Sequence, residues 1–177
     1  LIGIDIVDLT DPLLKPRSQR EISFISHPND RCPKGTDDET HYWLLWAAKE
    51  AIFKAERSDQ AFSPKEIEVH YVEAIDDRLH YRGKWLNEIN GYSILKKDNI
   101  ISVAATANIA AVKWKTFMLN TSNQSQELRD SFQREMGPGY QVLSDVAGLP
   151  TVRHNGTTTP ASVSHHHHLG IVAWMES

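Results

Sequence analysis

The N-terminal run LIGIDIVDL, residues 1–9, alternates branched apolar side chains with small or polar ones, and that period of two commits it to a β-strand. Ile2, Ile4 and Ile6 fall on one face and Gly3, Asp5 and Val7 on the other, before Asp11-Pro12 ends the run. One long helical pattern follows at 40–57, where Trp43, Trp46, Ala47, Ala51 and Phe53 recur at helical spacing behind a Thr40 N-cap. After a turn at Ser63-Pro64 come five short strand patterns, at 66–72, 78–82, 91–95, 100–106 and 110–116. A strand, a helix and then a run of short strands predict an α+β fold with an antiparallel sheet packed against a helix.

The second part of the chain changes character. NTSNQSQ (120–126) is polar and turn-rich. A short amphipathic helix at 127–136 carries Leu128, Phe132 and Met136 and stops at Gly137-Pro138-Gly139. Strand-like pieces return at 140–143, 161–164 and 169–174. This division predicts a lobe over 1–117, a linker over 118–126 and a second lobe over 127–177. SVAATANIAAVKW (102–114) and SVSHHHHLGIVAW (162–174) echo one another in length, opening, midpoint and closing Trp, which points to two similar lobes related by a pseudo-two-fold.

With 177 residues, 40% of them hydrophobic, the chain can bury a real core. It has no apolar run near the roughly 20 residues a membrane span needs, so no membrane partner is expected and the cytoplasm is the expected location. A net charge of −4 excludes the broadly basic surface of a nucleic-acid binder. Lys15, Arg17 and Arg20 nonetheless cluster in DPLLKPRSQR (11–20), either as a solvated loop or as a patch for an acidic partner. The one cysteine, Cys32, rules out an internal disulfide and reads as an inert loop thiol.

Charges inside the apolar helix carry the chemistry. Glu50 and Lys54 are i, i+4 and lie one turn apart on one face, with Trp46 one turn before Glu50. Such a pair is either a surface ion pair or part of a partly enclosed site. Asp5, set between Ile4 and Ile6, needs solvent, a hydrogen-bond set or a cation. If Asp5 and Glu50 converge, two hard oxygen donors suit Mg²⁺ with a substrate phosphate, and Lys49 and Lys54 would offer charge to that phosphate.

GIDIVDL followed some forty residues later by WAAKEAIFKA resembles the 4'-phosphopantetheinyl transferase superfamily, whose pattern is GxD on a strand and [FW]xxKExxxK on a helix. Gly3, Asp5, Trp46, Lys49, Glu50 and Lys54 occupy its positions. The local wording is closest to the short holo-acyl-carrier-protein synthase branch, while a two-lobed chain of this length is similar to the longer, surfactin-type branch. Val7 stands where the longer branch usually has a further acidic residue, which removes one metal ligand. GLPTVRHNGTTTPASVSHHHH (148–168) resembles the family's GKP segment and the strand ending in Ser-His, with Ser164 and His165 on the Ser-His positions. Leu149 replaces the family's lysine there, and Arg153 is the candidate replacement for its phosphate contact. In the longer branch the Ser-His segment precedes GxD, so the chain order reads as circularly permuted; an unpermuted short-branch chain with an insertion is the alternative.

The resemblance implies transfer of 4'-phosphopantetheine from coenzyme A to a serine of an apo carrier protein. Asp5 and Glu50 would hold Mg²⁺, with Glu50 and Lys54 as catalytic residues, and Lys49, Arg153, Ser164 and His165 would bind the coenzyme. The partner would be an acidic carrier protein docking on Lys15, Arg17 and Arg20, and the protein is expected to be a monomer. Two rival readings stand beside it. One is a non-enzymatic module binding coenzyme A or a carrier, in which Val7 and Leu149 mark a decayed site; the other is a histidine-rich metal protein built on His165–His168.

Overall fold

A computed structural model describes residues 1–57 and 59–175. It opens with β1 (Ile2–Asp8), a short helix α1 (Gln19–Ile25) and the long helix α2 (Asp38–Glu56). Strands β2 (Glu68–Ile75), β3 (Arg78–Lys84), β4 (Glu88–Leu95) and β5 (Asn99–Ala105) follow as a meander. A similar order then recurs with one helix in place of two: β6 (Val112–Met118), α3 (Gln124–Met136), and β7 (Tyr140–Ser144), β8 (Pro150–His154), β9 (Thr157–His166) and β10 (Leu169–Met175).

Each half forms a five-stranded sheet in which every neighbouring pair is antiparallel. The orders are β1-β5-β4-β3-β2 and β6-β10-β9-β8-β7, so the first strand of each unit pairs with its last. The expected α+β fold with two similar lobes is therefore present. The echo that suggested it joins the wrong pieces: 102–114 runs from β5 into β6 and crosses between the sheets, whereas 162–174 spans the β9–β10 hairpin within one sheet. Strand-turn-strand composition produced the likeness, and β6 belongs to the second sheet, so the chain changes sheets at 106–111. The polar segment read as a linker instead ends β6 and supplies Asn123, whose side chain caps α3 by accepting from the Gln126 N–H.

Three apolar clusters account for the layers. The first lies between its sheet and α2, around Val7, Trp43, Leu44, Ile52, Val69 and Tyr81. The second joins the sheets through Ile2, Ile4, Ile6, Tyr92, Val112 and Ile171. The third packs α3 on its sheet through Phe117, Leu128, Phe132 and Trp174. Both faces of β1 are thus covered, and the strand is buried from end to end.

Gly3 sets the spacing between β1 and α2. A Cβ there would lie 1.9 Å from the Ala51 carbonyl oxygen and 2.6 Å from the Ala55 nitrogen, so only glycine admits the helix this closely. The small side chains Ala47, Ala48, Ala51 and Ala55, all fully buried, complete that contact. α2 begins earlier than Thr40: Asp37 is its N-cap, and Thr40 donates its backbone N–H to the Asp37 carboxylate at 2.9 Å. Asp37 outranks Thr40 because a carboxylate answers the unpaired N–H groups and the positive end of the helix together. α1 is held at its start by a capping box between Ser18 and Glu21.

Candidate active site

The close approach of α2 to β1 brings the charged residues together. Asp5 is buried, and its Oδ1 accepts from Lys54 Nζ at 2.8 Å and from Ser164 Oγ at 2.7 Å. Lys54 also donates to the Ile4 carbonyl at 3.2 Å and stands 3.7 Å from Glu50 Oε1. Glu50 and Lys54 are therefore not a decorative surface pair, since a strand carboxylate shares the lysine. Burial and the neighbouring Asp5 carboxylate push the Glu50 carboxyl up to about 7, against the opposing pull of Lys54 and the Trp46 indole. Burial works against the Lys54 ammonium, but Asp5 and Glu50 outweigh it and hold the lysine above its ordinary value.

These groups open into a cleft of about 630 Å³ between the lobes. Its first-lobe wall carries Asp5, Glu50 and Lys54 with the aromatic side chains of Tyr42, Trp43 and Trp46. The second lobe contributes Ser164, His165 and His166 from β9 and Ser125 from α3. Arg17 reaches the same cleft, its guanidinium lying 4.8 Å from the Trp43 ring and 5.1 Å from the Tyr42 ring while pairing with Glu21 at 3.1 Å. Of the three basic residues considered together, Arg17 is thus a cleft residue, while Lys15 and Arg20 are exposed beside it.

Alternate residues of β9 seal the exposed edge of β1. Ser162 Oγ accepts from the Ile4 N–H at 3.0 Å, Ser164 meets Asp5, and His166 Nδ1 accepts from the Asp8 N–H at 3.0 Å. A period of two places Ser162, Ser164 and His166 on one side of the strand. His165 is exposed, lines the cleft from the other register, and has its Nε2 3.4 Å from Ser125 Oγ. Asp8, Ser162 and His166 were missed from the sequence, although the S-x-S-x-H spacing in SVSHH was there to be read.

Two expected site residues lie elsewhere. Lys49 is fully buried on another side of α2, where its ammonium donates to the carbonyls of Ile25, Pro64 and Ile67 and to Asp30 at 2.6–3.0 Å. It staples α2 to the segments around it and cannot also reach a cleft phosphate. Arg153 sits exposed on β8, donates to Gln141, and is absent from the cleft wall. Leu149 lines a separate apolar hollow with Phe53, Arg57 and Pro150, which adjoins the cleft through Lys54 and Val163. Burial and Asp30 push the Cys32 thiol up to about 12, so it offers no nucleophile.

Asp5 and Glu50 fit a small divalent cation by the chemistry of their donor set. They are two hard carboxylates facing one another, and one is kept from ionising partly by the other's charge. Among the described residues no three histidine, cysteine or acidic side chains converge on a metal position, so any such ion would draw further ligands from water or substrate. The four consecutive histidines do not share one centre: His165 turns to Ser125, His166 and His167 to Asp8, and His168 to the Leu119 carbonyl, although the His167 and His168 rings lie 3.8 Å apart. They form no metal cluster of the kind the histidine-rich reading required.

A family model described as the 4'-phosphopantetheinyl transferase superfamily matches residues 1–104, from β1 to the penultimate residue of β5 and including α1 and α2. No curated protein and no solved structure matches the chain. The matched segment contains Asp5, Glu50 and Lys54 at the positions where the geometry assembles them, and it covers more than half of the chain. This protein belongs to the 4'-phosphopantetheinyl transferase superfamily.

Proposed function

We propose that this protein transfers the 4'-phosphopantetheine group of coenzyme A to a serine of an apo acyl or peptidyl carrier protein. The observation that carries this reading is one interlobe cleft in which Asp5, Glu50 and Lys54 of the family-matched lobe face Ser164, His165 and His166 of the other. In the reaction the serine Oγ bonds to the phosphorus that bears pantetheine. The bond from that phosphorus to the bridging oxygen breaks, and its electron pair leaves with adenosine 3',5'-bisphosphate.

Glu50, on the cleft wall beside Lys54, suits the role of accepting the serine proton, directly or through one water. Lys54 is stabilised as an ammonium by both carboxylates, so its part is fixed positive charge beside the leaving phosphate and not ready release of a proton. Mg²⁺ held by Asp5 and Glu50 would neutralise and orient the pyrophosphate. Ser164 orients Asp5 through its 2.7 Å hydrogen bond, and His165 and His166 offer imidazole donors to coenzyme phosphates from the opposite wall. Arg17 adds positive charge at the aromatic side of the cleft, and exposed Lys15 and Arg20 next to it suit the docking of an acidic carrier.

Mass spectrometry of an apo carrier protein incubated with coenzyme A, Mg²⁺ and this protein tests the reading. A phosphopantetheine adduct on the carrier serine is expected. Uptake of coenzyme A with no change in carrier mass would replace the enzyme with the binding module.

A further inference from the structure

The end of β1 grips the tip of the β9–β10 hairpin, and Asp8 is the gripping residue. It is 2% exposed. Its Oδ1 accepts from the Thr10 N–H at 2.9 Å and the Thr10 hydroxyl at 2.6 Å, which fixes the carboxylate locally. Its Oδ2 then meets His167 Nδ1 at 2.9 Å and the His168 N–H at 3.4 Å, while its own N–H is given to His166 Nδ1. Three consecutive histidines of the second lobe thus depend on one residue of the first.

The chemistry of these bonds assigns the protons. A main-chain N–H can only donate, so His166 Nδ1 must be unprotonated and its ring proton sits on Nε2. A carboxylate can only accept, so His167 carries its proton on Nδ1. Asp11 Oδ2 lies 3.8 Å from His166 Nε2, too far to accept that proton and near enough to favour its placement there. The His166 ring is also set 6.5 Å from the Trp43 ring, and both line the cleft.

We propose that Asp8 is a positioning residue for the cleft: it locks the β9–β10 tip against β1 so that His166 presents an Nε2–H donor to an anionic oxygen of the bound co-substrate. The inference rests on the transferase reading for the identity of that oxygen, but not for the tautomers. His166, on the Ser164 side of β9, becomes the histidine oriented by the first lobe, whereas His165 is not held by Asp8.

Nitrogen-resolved NMR of the imidazoles in the wild-type protein without coenzyme is the first arm. It should show His166 as the Nε2–H tautomer and His167 as Nδ1–H; His166 protonated on Nδ1 would overturn the proposal. The second arm is transfer kinetics of Asp8→Asn, an isostere that keeps an acceptor for Thr10 but cannot satisfy His167 in the same way. We expect KM for coenzyme A to rise about tenfold with kcat changed by less than about threefold, as for loss of a binding interaction common to ground and transition states. That rise should disappear in a His166→Ala background and persist in a His165→Ala background. Equal effects in the two backgrounds, or a fall in kcat with KM unchanged, would contradict it. Absence of transfer by the wild-type protein would sink the transferase reading alone, since the tautomers are read without turnover and the same tenfold weakening by Asp8→Asn is then expected in the Kd for coenzyme A measured by calorimetry.

Discussion

The two lobes share one sheet order and differ most where the first strand meets the long helix. In the first, β1 meets α2 at Gly3 and brings Asp5 to within 2.8 Å of Lys54 in a buried setting. In the second, β6 and α3 occupy the corresponding places, and the corresponding strand-to-helix pair is charge-reversed, with Lys115 Nζ 2.5 Å from Glu135 Oε2. The alignment follows from the cores: Val112 and Trp114 face the other sheet as Ile2 and Ile4 do, and Phe117 faces its helix as Val7 does. The side chains of Lys115 and Glu135 are 41% and 50% exposed, against 4% for Asp5. α2 buries ten residues, and α3 buries Leu128 and Phe132. Shared topology therefore supplies two strand-helix pairs, and the glycine-alanine contact accompanies the one whose strand carboxylate is buried.

The inequality of the lobes rests most heavily on Gly3. Replacing Gly3 with Val puts side-chain atoms into the backbone of α2, and the expected loss of about 3 kcal/mol or more should be visible in urea unfolding. Lys49→Met removes the cation from a buried cluster that leaves Asp30 behind, with an expected cost of about 3–5 kcal/mol by the same measurement. At the other extreme, Lys115→Ala in the second lobe should cost less than about 1 kcal/mol, because its ion pair is largely solvated. A large loss from Lys115→Ala would mean that the lobes are not as unequal as their packing indicates.

Between these lies a dependence on pH set by the Glu50 carboxyl of the first lobe. Glu50 titrates near 7 in the folded protein against an ordinary 4.5, so between those values the native state holds a proton that the unfolded chain has released. Stability without bound cation should accordingly fall as pH rises through that window and level off above it. Asp8 acts in the opposite direction, its carboxyl held below the ordinary 3.8: burial opposes this, but the hydrogen bonds from Thr10, His167 and His168 prevail, so its contribution is lost as pH falls through the acid range. Urea midpoints across pH should show the Glu50 slope in the wild-type protein and its absence in Glu50→Gln.

The legible part of this molecule is the part written by short spacings. Asp5 in GID, and Glu50 and Lys54 four apart on a helix, could be paired because strand and helix periods fix which side chains share a face. Lys49 was misassigned because one residue of rotation, about 100° on a helix, moved it off that face. Its partners Asp30, Ile25, Pro64 and Ile67 are far along the chain, where no periodicity reaches. α1 escaped notice although Ser18 and Glu21 spell a capping box, since its seven residues carry too short an apolar pattern to stand out. β8 was concealed inside a segment read for its motif instead of its alternation. The Asp8 grip on the hairpin joins residues some 160 positions apart, and it becomes visible only when the two lobes are in contact.

The proposed transfer places the chemistry on the first-lobe pair, Glu50 and Lys54. Its most direct test is the intact mass of one apo carrier protein after incubation with coenzyme A, Mg²⁺ and either the wild-type protein or Glu50→Gln. The wild-type protein should add phosphopantetheine, and Glu50→Gln should do so about 10²–10⁴-fold more slowly while remaining folded, the scale expected for a lost proton acceptor. Addition at the wild-type rate by Glu50→Gln would show that Glu50 takes no part in the transfer.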